Sequence, residues 1–159
     1  MERINKMMSH PLYVSNQKKI EALETKRIFC RHGMDHSLDV ARILYIKVLE
    51  AHIDLEKDVI YGVALLHDIG RALEYEQGIP HHEASVKLAK QILPDCGYRE
   101  EECYRMVRAI GAHKEKMAEN DVLCKLLYEA DKLSRKCFDC NVQEECYWSE
   151  EKRNHHIIY

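Results

Sequence analysis

Leu38, Ala41, Leu44, Tyr45 and Val48 recur at the three- and four-residue spacing of one helix face and predict an amphipathic helix near 35–52. His36 lies near its N-terminus. The segment from Val59 to Leu66 is almost uninterruptedly apolar and predicts a nearly all-buried helix near 56–68 that closes on the polar pair His67-Asp68. Further helices are expected near 16–30, 80–93, 99–113, 120–136 and 143–152. Asp54 is read as the start of the helix near 56, Pro80 of the one near 80, and Asn120 or Asp121 of the one near 120. Gly78 and Gly97 mark short connections. No alternating apolar and polar run bounded by hairpin dipeptides appears, so the pattern predicts an all-α, compact multi-helix bundle.

Composition adds bounds to this picture. A chain of 159 residues with three Pro and six Gly suits a single domain over 1–159, long enough to bury a core without disulfides. No internal repeat, low-complexity stretch or linker interrupts it. The net charge of -3 argues against a nucleic-acid binder driven by phosphate neutralisation. There is no leader pattern and no run approaching the ~20 apolar residues of a membrane helix, so a cytoplasmic protein without a membrane partner is expected. The seven cysteines are then expected to stay reduced, and their odd number excludes complete intramolecular pairing. Oligomeric state is not legible.

The chemistry centres on His36, His67, Asp68 and Asp131. Two imidazoles and two carboxylates suit Mn, Fe, Co, Ni or Zn better than the all-oxygen shells that magnesium and calcium prefer. Folding must bring them together. A buried His67-Asp68 pair left without partners would cost several kcal/mol, and a shared metal ion would satisfy both. The plainer alternative is a satisfied core histidine beside a helix-terminal Asp.

The segments His36-Ser37-Leu38-Asp39-Val40-Ala41, Leu65-Leu66-His67-Asp68-Ile69-Gly70-Arg71 and Tyr128-Glu129-Ala130-Asp131-Lys132-Leu133 resemble, in this order, the motifs of the HD-domain superfamily of metal-dependent phosphohydrolases. The resemblance covers about 25–135 and implies His36, His67, Asp68 and Asp131 as ligands of one divalent metal. It also implies that a basic residue in the position of Arg71 points at the reacting phosphate, where a guanidinium stabilises charge on nonbridging oxygens. Pro80-His81-His82-Glu83-Ala84-Ser85-Val86 and Ala109-Ile110-Gly111-Ala112-His113 are similar to the stretches that supply further histidines in a binuclear version of the family. Counting back from Ser85 favours His81 over His82. Two readings stay open here: His81 and His113 hold a second ion, or His81 and His82 are solvated in the first turn of a helix begun by Pro80 and His113 is a helix C-terminal cation. Lys132, Arg135 and Lys136 form the most basic stretch. Lys132 and Arg135 are candidates to meet a substrate phosphate, with a helix C-terminus complemented by cations as the alternative.

The extension 136–159 lies beyond the resemblance. Its Cys137-x2-Cys140-x5-Cys146 cluster, with Cys30 as a candidate fourth ligand, suggests a structural zinc or iron-sulfur site, against cysteines that simply pack under a tail. A thioredoxin-like use is disfavoured, because the CxxC lacks βαβ surroundings. His32 is read as a contact to substrate or to a metal ligand; His10, His52, His155 and His156 are read as surface residues. The expected function is metal-dependent hydrolysis of a nucleotide or another small phosphate ester. Asp68 or a nearby carboxylate would orient the attacking water. The alternatives are a di-iron oxidative enzyme and a noncatalytic sensor of a phosphorylated metabolite.

Overall fold

The computed structural model describes residues 1–114 and 121–159. Its α-helices are α1 (Glu2–Ser9), α2 (Pro11–Leu23), α3 (Met34–Glu50), α4 (Lys57–Leu66), α5 (Arg71–Gln77), α6 (His81–Asp95), α7 (Glu100–Ala112) and α8 (Val122–Leu133). Two three-residue 3-10 turns, Cys137–Asp139 and Glu150–Lys152, follow. The described residues contain no strand, and the chain is all-α. None of the described helices is long and apolar enough to cross a membrane.

The helix α3 packs between α4 and α8; α6 lies along α7, and α7 in turn meets α4 and α8. Between them Leu44, Ile60, Leu66, Ile92, Met106, Ile110 and Leu127 are fully buried. This layer holds the ends of α3, α4, α7 and α8 side by side. The short α1 is fastened from outside by Arg3, whose guanidinium bonds Glu102 at 2.8 Å and Glu56 at 2.6 Å and covers the Tyr98 ring at 4.4 Å.

Several element boundaries differ from the pattern. The helix expected near 16–30 is α2: it starts earlier because His10 Nδ1 accepts from Leu12 N–H at 3.2 Å and Pro11 needs no donor in the first turn. It ends earlier because Thr25 Oγ1 donates back to the Ala22 and Glu21 carbonyls, at 2.9 and 3.1 Å, and closes the last turn. The helix α3 stops two residues short of the expected end, where His52 takes a positive φ of 52°. Glu56, not Asp54, precedes α4, and α4 ends at Leu66, which leaves His67 and Asp68 in the turn that follows. Asp121 caps α8 through Leu123 N–H at 3.1 Å; the other candidate start, Asn120, lies outside the described residues.

The helix expected near 143–152 does not form. Among described residues 136–159 only Cys137 is buried, so no apolar face is available to hold a helix there. The helices α1 and α5 are additional, eight and seven residues long, too short for a periodic signal.

Candidate metal centre

The turn after α4 is pressed against α6. Gly70 N–H donates to Ser85 Oγ at 2.9 Å, and a Cβ on Gly70 would lie 2.4 Å from both the His81 carbonyl oxygen and the Ser85 nitrogen. Only glycine allows this approach, which sets Asp68 beside His81. His36 comes from the first turn of α3, His113 from the end of α7, and Asp131 from the last turn of α8.

The ligand atoms of His36, His67, Asp68 and Asp131 lie within 4.8 Å of one another, as do those of Asp68, His81 and His113. All six residues are buried. Asp68 belongs to both groups. Its Oδ2 is 3.2 Å from His67 Nε2 and 3.6 Å from His36 Nε2, while its Oδ1 is 3.3 Å from His81 Nε2 and 3.8 Å from His113 Nε2. One carboxylate therefore faces two histidine pairs, one oxygen to each.

The outer hydrogen bonds decide which nitrogen of each ring faces inward. His67 Nδ1 donates to the Ala64 carbonyl and His113 Nδ1 to the Ile110 carbonyl, both at 2.6 Å. His81 Nδ1 donates to the Glu74 carboxylate at 2.9 Å. Ser134 Oγ gives its one proton to the Asp131 carbonyl at 2.8 Å and accepts from His36 Nδ1 at 3.1 Å. In the neutral rings every Nε2 then carries a lone pair. Yet His36 Nε2 and His67 Nε2 stand 3.3 Å apart, and so do His81 Nε2 and His113 Nε2. Lone pairs face lone pairs and carboxylate oxygens, an arrangement that positive charge between them would satisfy. The residues fit divalent ions on these grounds.

Ionisation follows the same field. Burial opposes the charge on Asp68, but His67 and Arg71 hold it well below the usual carboxylate range. Asp131 is likewise held low against burial by His36, Arg135 and Lys132. Burial alone would lower His67, but Asp68 and Asp131 raise it, so the interior of the cluster favours positive charge. Burial pushes His81 down to about 3 and His113 to about 4. A neutral, 2 % exposed His113 is no helix C-terminal cation, and a 1 % exposed His81 is not solvated. His82, by contrast, belongs to neither ligand group.

The centre opens into a cavity of about 330 Å³. Arg71, Lys132, Arg135 and Lys114 bring positive charge to it, and Phe29, Tyr128, Tyr147 and Trp148 bring aromatic surface. Arg71 Nε bonds Asp68 Oδ1 at 3.1 Å and its Nη1 bonds Glu74 at 2.8 Å. Lys132 Nζ lies over the Tyr128 ring at 5.1 Å and the Trp148 ring at 5.0 Å, which ties α8 to the extension. Arg135 turns inward: its Nη2 donates to His36 Nε2 at 3.0 Å and to Asp131 at 3.3 Å. Its buried Nε has no partner among the described residues. The four cysteines Cys30, Cys137, Cys140 and Cys146 line the same cavity, but their sulfurs are not among the donor sets that lie within 4.8 Å of one another.

Sequence reasoning missed Glu74 and Ser134, which orient His81 and His36. It also missed Glu24, whose carboxylate bonds His32 Nδ1 and Tyr75 Oη, each at 2.5 Å, and fixes His32 at the cavity wall. The only signal for Glu74 was its spacing of three from Arg71 on a helix too short to recognise.

Residues 33–136 match the family model described as HD domain. The chain belongs to the HD domain family. An uncharacterized protein of Clostridium beijerinckii is 41% identical over 159 residues, 100% of both chains. Ribonuclease Y of Lactobacillus gasseri is 26% identical over 125 residues, which are 79% of this chain but only 21% of that protein. This HD domain therefore spans about a fifth of the length of that relative. A crystal structure of a predicted HD superfamily hydrolase from an uncultured Thermotogales bacterium shares the fold, with a TM-score of 0.66, 22% identity, and coverage of 93% of this chain and 82% of that one.

Proposed function

We propose that this HD domain is a metal-dependent phosphohydrolase that acts on a small phosphate ester, with a nucleotide as the favoured class. The observation that carries the reading is Asp68, one carboxylate shared between two inward-facing histidine pairs, beside a cationic cavity that His81, His113 and Asp131 line. His36, His67, Asp68 and Asp131 would hold one divalent ion, and Asp68, His81 and His113 a second. Ions so held supply Lewis acidity and bring the pKa of water from about 15.7 toward about 7.

The chain's own groups divide the remaining work. Arg71, next to Asp68 and open to the cavity, neutralises charge on the phosphoryl oxygens. Lys132 and Lys114 add cations at the wall, and Arg135 becomes available to the phosphate when His36 Nε2 is ligated, since that nitrogen has a single lone pair. Asp68, kept ionised, is positioned to orient the attacking water. The aromatic faces of Tyr147 and Trp148 sit on the same cavity as these cations and suit a flat base attached to a phosphate.

The resemblance to ribonuclease Y raises an RNA phosphodiester as the other substrate class. A net charge of -3 and a cavity of about 330 Å³ favour the small ester. Phosphate release from nucleoside mono-, di- and triphosphates and p-nitrophenyl phosphate, measured with Mn, Fe, Co, Ni and Zn beside a single-stranded RNA, tests the reading. Turnover of the small esters supports it. Cleavage of RNA alone replaces the substrate class, and oxygen consumption with iron but no phosphate release replaces the reaction by the oxidative one.

A further inference from the structure

Four cysteines from two stretches of the chain line the cavity. Cys30 lies in the loop before α3, and Cys137, Cys140 and Cys146 lie in the extension, Cys137 in its first 3-10 turn. All are free thiols. They feel one another: burial, then the neighbouring sulfurs of Cys30, Cys146 and Cys140, push the Cys137 thiol up.

The extension has almost no core of its own. Its one buried residue among 136–159 is Cys137, and Tyr147, Ile157 and Ile158 are 72, 77 and 62 % exposed. Lys132 over Trp148 and Asn154 on the Leu133 and Arg135 carbonyls tie the extension to α8, and a cross-link among the cysteines would add to these ties where no core does. Arginines already hold the backbone at two of the cysteines: Arg27 Nε bonds the Cys30 carbonyl at 2.8 Å, and Arg153 Nη2 the Cys146 carbonyl at 2.9 Å. These guanidiniums, with Lys152 on the same cavity, offset the double negative charge that four thiolates leave around a divalent ion.

We infer that Cys30, Cys137, Cys140 and Cys146 bind one zinc ion as a tetrathiolate site, separate from the His/Asp centre, that pins the extension across the mouth of the cavity. All-sulfur tetrahedral ligation selects zinc over the oxygen-seeking ions, and each thiol releases its proton to solvent on binding. The sulfurs must close from their present separations. An extension built from turns can make that movement, whereas packed helices would resist it. The site is independent of the hydrolase reading, because it concerns different donors and a different ion.

Cobalt substitution of the full-length protein tests this directly. Wild type loaded with Co(II) is expected to show the near-ultraviolet sulfur-to-cobalt charge-transfer band and the intense visible bands of a tetrahedral thiolate site. Asp68→Ala is expected to keep them, as is Cys103→Ser, whereas Cys140→Ser and Cys146→Ser lose them. Zinc content should fall by one equivalent per chain in the latter pair, and protease should cut the extension faster while far-ultraviolet circular dichroism keeps its helical signal. Absence of the thiolate band from wild type, or four thiols that react fully with a disulfide reagent in the presence of zinc, would overturn the proposal. So would recovery of iron and inorganic sulfide in place of zinc.

Discussion

Gly70 packs directly against the helix α6, its N–H donating to Ser85 Oγ at 2.9 Å, and this close approach of the turn after α4 sets Asp68 beside His81. The packing leaves no room for a side chain. A methyl group at Gly70 would stand 2.4 Å from backbone atoms of His81 and Ser85, so Gly70→Ala has to push α6 away. Such overpacking costs about 1–3 kcal/mol. Chemical denaturation is expected to show that loss, and metal titration a deficit at the Asp68-His81-His113 group. Ser85→Ala, which strands a buried N–H, should lose about 1–3 kcal/mol without the same displacement.

Glu74 acts on the centre through His81. Its carboxylate holds His81 Nδ1–H at 2.9 Å and thereby keeps Nε2 facing His113. Glu74→Gln weakens that preference. Loss of an outer partner of this kind typically lowers metal affinity by about 10–100-fold. Isothermal titration should find the weaker of two binding events reduced by that amount, with the event assigned to His36, His67, Asp68 and Asp131 little changed.

Arg135 and a metal ion compete for His36 Nε2, because the guanidinium donates to that nitrogen at 3.0 Å. Arg135→Met removes the competitor and its charge. The variant is expected to bind Mn(II) or Co(II) more tightly than wild type, read by competition with a chelating dye. Equal or weaker binding would mean that Arg135 supports the ligands.

Acid should destabilise the metal-free protein in a defined window. His32, His81 and His113 are buried and held below their ordinary 6.5, at about 4, about 3 and about 4. As pH falls below 6.5 the unfolded chain takes up these protons while the folded chain does not, so stability declines toward pH 4. The slope is ~1.4 kcal/mol per pH unit for each group. His67 works with the opposite sign: its raised pKa stabilises the fold at low pH, and the contribution is lost as pH rises through the raised value. The His67 window lies above pH 6.5 and does not offset the other three, so the melting temperature of the metal-free protein should fall between pH 6.5 and 4.

Much of the centre was legible in the chain because its ligands sit on the strongest patterns. The periodic α3 carries His36, and the apolar run of α4 can end in His67 and Asp68 only if something satisfies them. The parts that were not legible depend on short elements. The seven-residue α5 has no repeat to reveal it, so the phase that aims Glu74 at His81 could not be anticipated. Ser134 and Glu24 act through contacts across 98 and 8 residues that only packing creates. Polar, helix-compatible residues fill the extension and predict a helix near 143–152, but no face of it is buried and none forms.

The central claim is that Asp68 joins two metal-binding groups into one phosphohydrolase centre. The direct measurement is metal content together with phosphate release, for wild type and Asp68→Ala purified side by side. The account predicts that Asp68→Ala loses ions from both His/Asp groups and that turnover falls by more than about a hundredfold, the upper end for residues that merely orient a ligand. Wild-type turnover in Asp68→Ala, or a wild-type protein that takes up no divalent ion at the His/Asp groups, would contradict it.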